Sequence, residues 1–137
     1  MKQFFLDTNI LIDLIADRKP HSKYAIQLFN EAGKNSVKLY TSSHSIATTY
    51  YLSKKVTDEK KLRKIINSLL DYVQCIAVDQ SIIKRALHSN HADFEDGIQI
   101  MAASTIHHLD AIITRNSKDF KNSDIPVLLP DEAVQLI

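Results

Sequence analysis

The chain has 137 residues, 45% of them apolar and 24% charged, with a formal net charge of +1 and a single cysteine. That length suits one domain whose core needs no crosslink, and a lone Cys75 excludes an internal disulfide and fits a reducing compartment, the cytoplasm. No run approaches the roughly twenty apolar residues of a membrane span, neither leader nor anchor is expected, and so small a net charge would hold nucleic acid only through a local patch.

Phe4, Phe5 and Leu6 are consecutive apolar residues followed by Asp7, which predicts a strand over 3–7 buried on both faces with a carboxylate at its end. Ile10, Leu11, Leu14 and Ile15 then recur at helical spacing over Thr8 to Ala16, with Thr8 or Asn9 able to cap the start. After the Arg18-Lys19-Pro20 break a second helix is expected from His21 to Ala32, turning Ala25, Ile26, Leu28 and Phe29 inward and stopping at Gly33. Val37 to Tyr40 alternates like a strand, and a helix follows from Ser42 or Ser43 to Lys55. Its apolar stretch of Ile46, Ala47, Tyr50, Tyr51 and Leu52 is expected to enter the core or, failing that, to form a homodimer surface.

The next helix, opened by Thr57 or Asp58, carries Leu62, Ile65, Ile66, Leu69 and Leu70 on one stripe. Val73 to Val78 reads as a strand with Cys75 in its buried part, followed by a helix to His88 and a long helix from Asp93 to His108. Ala111 to Thr114 and Pro126 to Leu129 are the last strands, and a short helix from Asp131 closes the chain. Strands alternating with helices predict a mainly parallel sheet covered on both faces, in a single domain over 1–137. Ligands of such sheets gather at the carboxyl ends of the strands, where Asp7, Asp96 and Asp119 would meet. Carboxylates gathered there repel one another unless a hard divalent cation sits among them.

Four segments in order, FFLDTNILIDL, DFEDGIQIMAAS, IITRNSKDF and IPVLLP, make the chain resemble the PIN-domain family of metal-dependent ribonucleases. Within it the likeness is to the bacterial branch with Asp-Phe-Glu-Asp and Thr-Arg-Asn motifs, and it covers essentially the whole chain. The resemblance implies a three-layer α/β/α sandwich and hydrolysis of RNA phosphodiester bonds with Mg2+ or Mn2+. It also implies a homodimer, and an antitoxin partner if the chain is the toxin of a toxin–antitoxin pair. Carried over by residue, it assigns Asp7 and Asp96 to the metal, with Asp119 as the acid following Asn116, which stands where many relatives have the fourth acid. Thr8, Asn9 and Thr114 match polar positions that hold the carboxylates or an attacking water.

The chain departs from the family in one place. Relatives carry an acid, most often glutamate, on the helix spanning Ser43 to Lys55, whereas no carboxylate occurs between Glu31 and Asp58. Thr48 or Thr49 takes the position, which lowers the expected metal affinity and leaves a nucleic-acid-binding domain with weak or no catalysis as the alternative. Asp93, three residues before Asp96, is expected to compensate from the same helical face, while Glu95 is expected to face solvent or serve a cap.

Arg115 has two expected roles, facing the scissile phosphate or pairing with an acid at the surface. Lys54, Lys55, Lys60, Lys61, Arg63 and Lys64 form the local basic patch, either a solvated face or a surface that tracks phosphates. His44 begins the helix that lacks its acid and is a candidate for the cleft wall. His88, His91 and Asp93, with His107 and His108, have the composition of a transition-metal site. Their spacing is poor, because the last two lie about 20 Å from Asp93 by helical rise.

Overall fold

The computed structural model describes residues 1–91 and 93–137. Strands β1 (Lys2–Leu6), β2 (Val37–Ser42), β3 (Val73–Ile76), β4 (Ala111–Ile113) and β5 (Val127–Leu128) form one parallel sheet in the order β3-β2-β1-β4-β5. Helices α1 (Thr8–Ala16), α2 (Ser22–Gly33), α3 (Ser43–Ser53), α4 (Glu59–Leu69), α5 (Gln80–Leu87), α6 (Phe94–Ala103) and α7 (Pro130–Val134) connect and follow the strands. The three-layer arrangement follows from alternation along β1. Phe4 and Leu6 enter a core with Leu11, Leu28 and Ala133 of α1, α2 and α7, whereas Phe5 enters a second core with Ile82 of α5 and Ile98 of α6.

The chain leaves β1 towards β2 on one side and later returns to pair β4 on the other. The carboxyl ends of β1 and β4 therefore flank the point where strand order reverses, the place where parallel sheets of this kind leave a crevice. Among the described residues no helix is long and apolar enough to cross a membrane.

Several expected details change. Ile26 of α2 and Leu70, just after α4, are each 42% exposed rather than inward-facing. Cys75 is exposed on β3, the edge strand of the sheet. Helix α6 stops at Ala103, where the Ser104 and Thr105 hydroxyls donate to the carbonyls of Ile100 and Ala102 at 2.7 Å and compete with continuation. His107 and His108 consequently lie in the turn beyond it, with His108 at a φ of 61°.

Helix α3 follows its expected packing only in part: Ile46 packs against the core, whereas Ala47, Tyr51 and Leu52 are exposed. Its fully buried side chains are polar, Ser45, Thr49 and Ser53. Ser45 joins a buried hydrogen-bond network with Ser42 and Gln99, whereas the Thr49 and Ser53 hydroxyls have no hydrogen-bond partner among the described residues.

Candidate active site

Asp7 is the residue between β1 and α1, and it caps the helix by accepting the Thr8 N–H on Oδ1 at 2.8 Å. Its Oδ2 accepts the Thr114 hydroxyl at 2.8 Å and the Asn9 side-chain amide at 3.3 Å. Asn9 Nδ2 also lies 3.3 Å from the Thr114 hydroxyl, and that hydroxyl accepts the Asn116 N–H at 3.1 Å. The Thr8 N–H and the side chains of Asn9 and Thr114 thus hold the carboxylate, and they join the ends of β1 and β4.

A fourth contact comes from a residue that motif reading passed over. Gln99 of α6, 2% exposed, donates from Nε2 to Asp7 Oδ1 at 3.3 Å and faces the hydroxyls of Thr8 and Ser45. Its Oε1 accepts the Ser42 hydroxyl at 2.6 Å. The signal was present in the sequence, since glutamine is the one polar residue in the apolar run Gly97 to Ala103.

Asp7 and Asp96 share a hollow of about 240 Å³ whose lining includes His44, Thr48, Glu95, Gln99 and Asn116. Its lining contains three carboxylates and no lysine or arginine. Burial pushes the Asp7 carboxyl above its ordinary range, against hydrogen bonds from Thr114, Gln99 and the Thr8 N–H, and the Asp119 charge adds to the rise. Asp96 is pushed up to about 7, first by burial and then by the charges of Asp93, Asp7, Asp119 and Glu95. An oxygen-dominated donor set with uncompensated negative charge fits a hard divalent cation.

The remaining candidates separate. Thr48 lines the hollow, whereas Thr49 is fully buried and its hydroxyl has no hydrogen-bond partner among the described residues, so only Thr48 can occupy the place of the missing acid. Asp93 precedes α6 instead of lying on its inner face, and its Oδ1 is taken as the cap for the N–H groups of Glu95 and Asp96 at 2.8 and 3.2 Å. Glu95 is exposed to solvent, as expected, and at the same time lines the hollow with His44, whose Nε2 is 3.9 Å from its Oε1. Asp119 sits in the 3-10 helix Ser117–Phe120, outside the lining, yet its charge acts on both Asp7 and Asp96.

Arg115 does not face the cleft. Its Nε and Nη2 donate to the two carboxylate oxygens of buried Asp13 at 2.6 and 3.0 Å, which is the ion-pair alternative. Lys54 and Lys55 are exposed just after α3, with their Nζ atoms over the Tyr51 ring at 5.2 and 5.0 Å. Among the described residues no three histidine, cysteine or acidic side chains are gathered closely enough to form a closed ligand cluster, which removes the histidine-based zinc site. The acidic residues face a shared hollow, not a finished cage. A separate cavity of about 510 Å³, lined by Leu14, Phe29, Ile65, Leu69 and Tyr72 among others, has no carboxylate, histidine, lysine or arginine in its lining.

Comparison with known proteins agrees with this fold. The chain is 29% identical over 136 residues to a protein named Ribonuclease VapC1 from Aquifex aeolicus (strain VF5), covering 96% of this chain and 92% of the relative. A chain in a toxin-antitoxin complex from Klebsiella pneumoniae superposes with a TM-score of 0.66 at 29% identity, covering 92% of this chain and 96% of that one. VapBC2 from Rickettsia felis, solved bound to a DNA fragment from its promoter, gives a TM-score of 0.65 at 15% identity, covering 93% and 98%, and so shares the fold. The family model for the PIN domain matches residues 3–118, from β1 through Asp7 and Asp96 to the 3-10 turn, and the chain belongs to the PIN-domain family.

Proposed function

We propose that this PIN-domain chain is a metal-dependent endoribonuclease, the toxin of a toxin–antitoxin pair, acting in the cytoplasm. The observation that carries the proposal is the shared hollow, where Asp7 and Asp96 face each other's charge with no lysine or arginine in the lining. The likeness to a ribonuclease and to a chain of a toxin–antitoxin complex supports the substrate class and an antitoxin as partner. When bound, Mg2+ or Mn2+ supplies Lewis-acid polarisation of the phosphodiester and an activated water nucleophile. Asp7 and Asp96 would hold the ion, with Asp119 completing the set from the neighbouring turn.

The chain's own side chains do the rest. Thr114, Asn9 and Gln99 keep Asp7 oriented, and Asn116, in the lining, orients a water or a ribose hydroxyl by hydrogen bonding without adding charge. Lys54 and Lys55, continued by Lys60 and Lys61 of α4, offer phosphate contacts beside the cleft. Tyr51 and Leu52 on the same helix provide the apolar surface that a second copy would cover in a homodimer. Purified protein is expected to cut single-stranded RNA only with added Mg2+ or Mn2+, and chelation should stop it. Undiminished cleavage in excess EDTA would remove the metal from the proposal.

Thr48 supports a second reading, an RNA-binding domain with little turnover, because a neutral hydroxyl stands on the wall where relatives have a charge. Thr48→Glu is then expected to tighten Mn2+ binding by about tenfold and to raise the cleavage rate, measured by calorimetry and single-turnover assay. Unchanged affinity would show that this wall does not face the ion.

A further inference from the structure

Gln99 spends a long polar side chain in a place that water does not reach. Its amide orientation is set by its neighbours: Nε2 points to Asp7 Oδ1 at 3.3 Å, and Oε1 receives the Ser42 hydroxyl at 2.6 Å. The reverse orientation would aim the amide oxygen at a carboxylate, two acceptors with no proton between them. Thr114 holds the other Asp7 oxygen, Oδ2, from the end of β4. Gln99 of α6 and Thr114 after β4 therefore hold opposite oxygens of the carboxylate, beside the Thr8 N–H and the Asn9 amide of α1.

The placement of Gln99 along α6 gives this contact a consequence. It lies three residues after Asp96, one helical turn along the same face, and both side chains line the hollow. A hydrogen bond from Gln99 to Asp7 consequently sets how far α6, and Asp96 with it, stands from the end of β1. On the α3 side, Ser42 and Ser45 meet the amide with hydroxyls, and the Ser45 hydroxyl also bonds Thr8 Oγ1 at 2.9 Å. The wall that lacks the family's acid thus contributes to the site through this glutamine.

We infer that Gln99 is a positioning residue that fixes the spacing of the Asp7 and Asp96 carboxylates, supported by the Ser42 and Ser45 hydroxyls of the α3 wall. The inference rests on the metal-dependent reading above, and its test separates the two.

Mn2+ binding to the full chain would be measured by calorimetry for the wild type and for Asp7→Asn, Gln99→Met, Gln99→Asn and Ile66→Val, with thermal melting of each. Gln99→Met keeps the length but has no polar atom to donate. Gln99→Asn keeps an amide and adds no charge, but is one methylene too short to bring its N–H to Asp7. Ile66→Val trims a buried residue of α4, away from the hollow, and serves as a control for lost stability. Both Gln99 variants are expected to weaken Mn2+ binding by about tenfold or more, while Ile66→Val melts earlier and binds like the wild type. Wild-type affinity in Gln99→Met, or in Gln99→Asn, would overturn the positioning role while leaving the metal reading intact. Absence of Mn2+ binding in the wild type, or its survival in Asp7→Asn, would overturn both. Should Gln99→Met fail to fold, Gln99→Asn alone decides.

Discussion

Asp96→Asn is expected to abolish metal-dependent RNA cleavage and, in the same molecule, to raise the melting temperature of the metal-free protein at neutral and alkaline pH. The two effects have one cause. Asp96 is half-buried, and its charge is opposed by Asp93, Asp7, Asp119 and Glu95, which together with burial lift its pKa from 3.8 to about 7. Its place in the first turn of α6 favours a negative charge through the helix dipole by about 0.5 kcal/mol, and the raised value shows that burial and repulsion outweigh that attraction.

The sign follows from proton uptake. The folded protein keeps the Asp96 proton to higher pH than the unfolded chain does, so this group's contribution to stability is complete below about pH 4. It is lost as the pH rises through about 7. Asparagine has no charge to lose. The melting temperature of Asp96→Asn minus that of the wild type should therefore be small at pH 4 and grow towards pH 8, by a few degrees at most because solvent screens a half-exposed group. Added Mn2+ should raise the wild-type melting temperature and leave the variant's unchanged. Loss of a charged ligand should cost several kcal/mol of transition-state stabilisation, at least about a thousandfold in rate. Near-wild-type cleavage would place the chemistry elsewhere, and a stability difference that shrinks with pH would deny the repulsion.

What the chain revealed before folding, and what it withheld, divides along physical lines. The strand ends were legible because Phe4 to Leu6 and Ala111 to Ile113 are buried on both faces, and such runs can be apolar throughout. Asp7 was legible as the first polar residue after such a run. The inner face of α3 was not, since Ser45, Thr49 and Ser53 are buried there and periodicity of apolar residues points to the opposite side. Ser45 is buried against partners, Thr8 and Gln99, that are distant in sequence. Asp93 was misplaced for a local reason: helical spacing from Asp96 suggests a shared face only if Asp93 is inside the helix, and it is the cap. Thr48 and Thr49 are adjacent, so only the rotation of α3 about its axis separates the cleft wall from the interior.

Arg115→Ala is expected to lower stability by about 3 kcal/mol, a fall in melting temperature on the order of 10 °C, because it strands a carboxylate where water cannot reach it. Asp13 is 1% exposed on α1, and Arg115 binds both of its oxygens. The Arg115 N–H also meets Asn9 Oδ1 at 3.4 Å, so this residue ties the segment after β4 to α1 beside the Asp7 contacts. Removing one partner leaves an orphan charge, whereas removing both does not. The double variant Asp13→Ala/Arg115→Ala should accordingly be more stable than Arg115→Ala alone, a non-additivity that denaturant titration would read directly. Arg115→Lys should recover only part of the loss, since an ammonium cannot reproduce the forked contact. Below its melting temperature, Arg115→Ala should bind RNA with unchanged KM, because the guanidinium is absent from the hollow's lining. A raised KM without loss of stability would instead put Arg115 on the substrate phosphate, and the ion pair with Asp13 would then be a resting arrangement that RNA breaks.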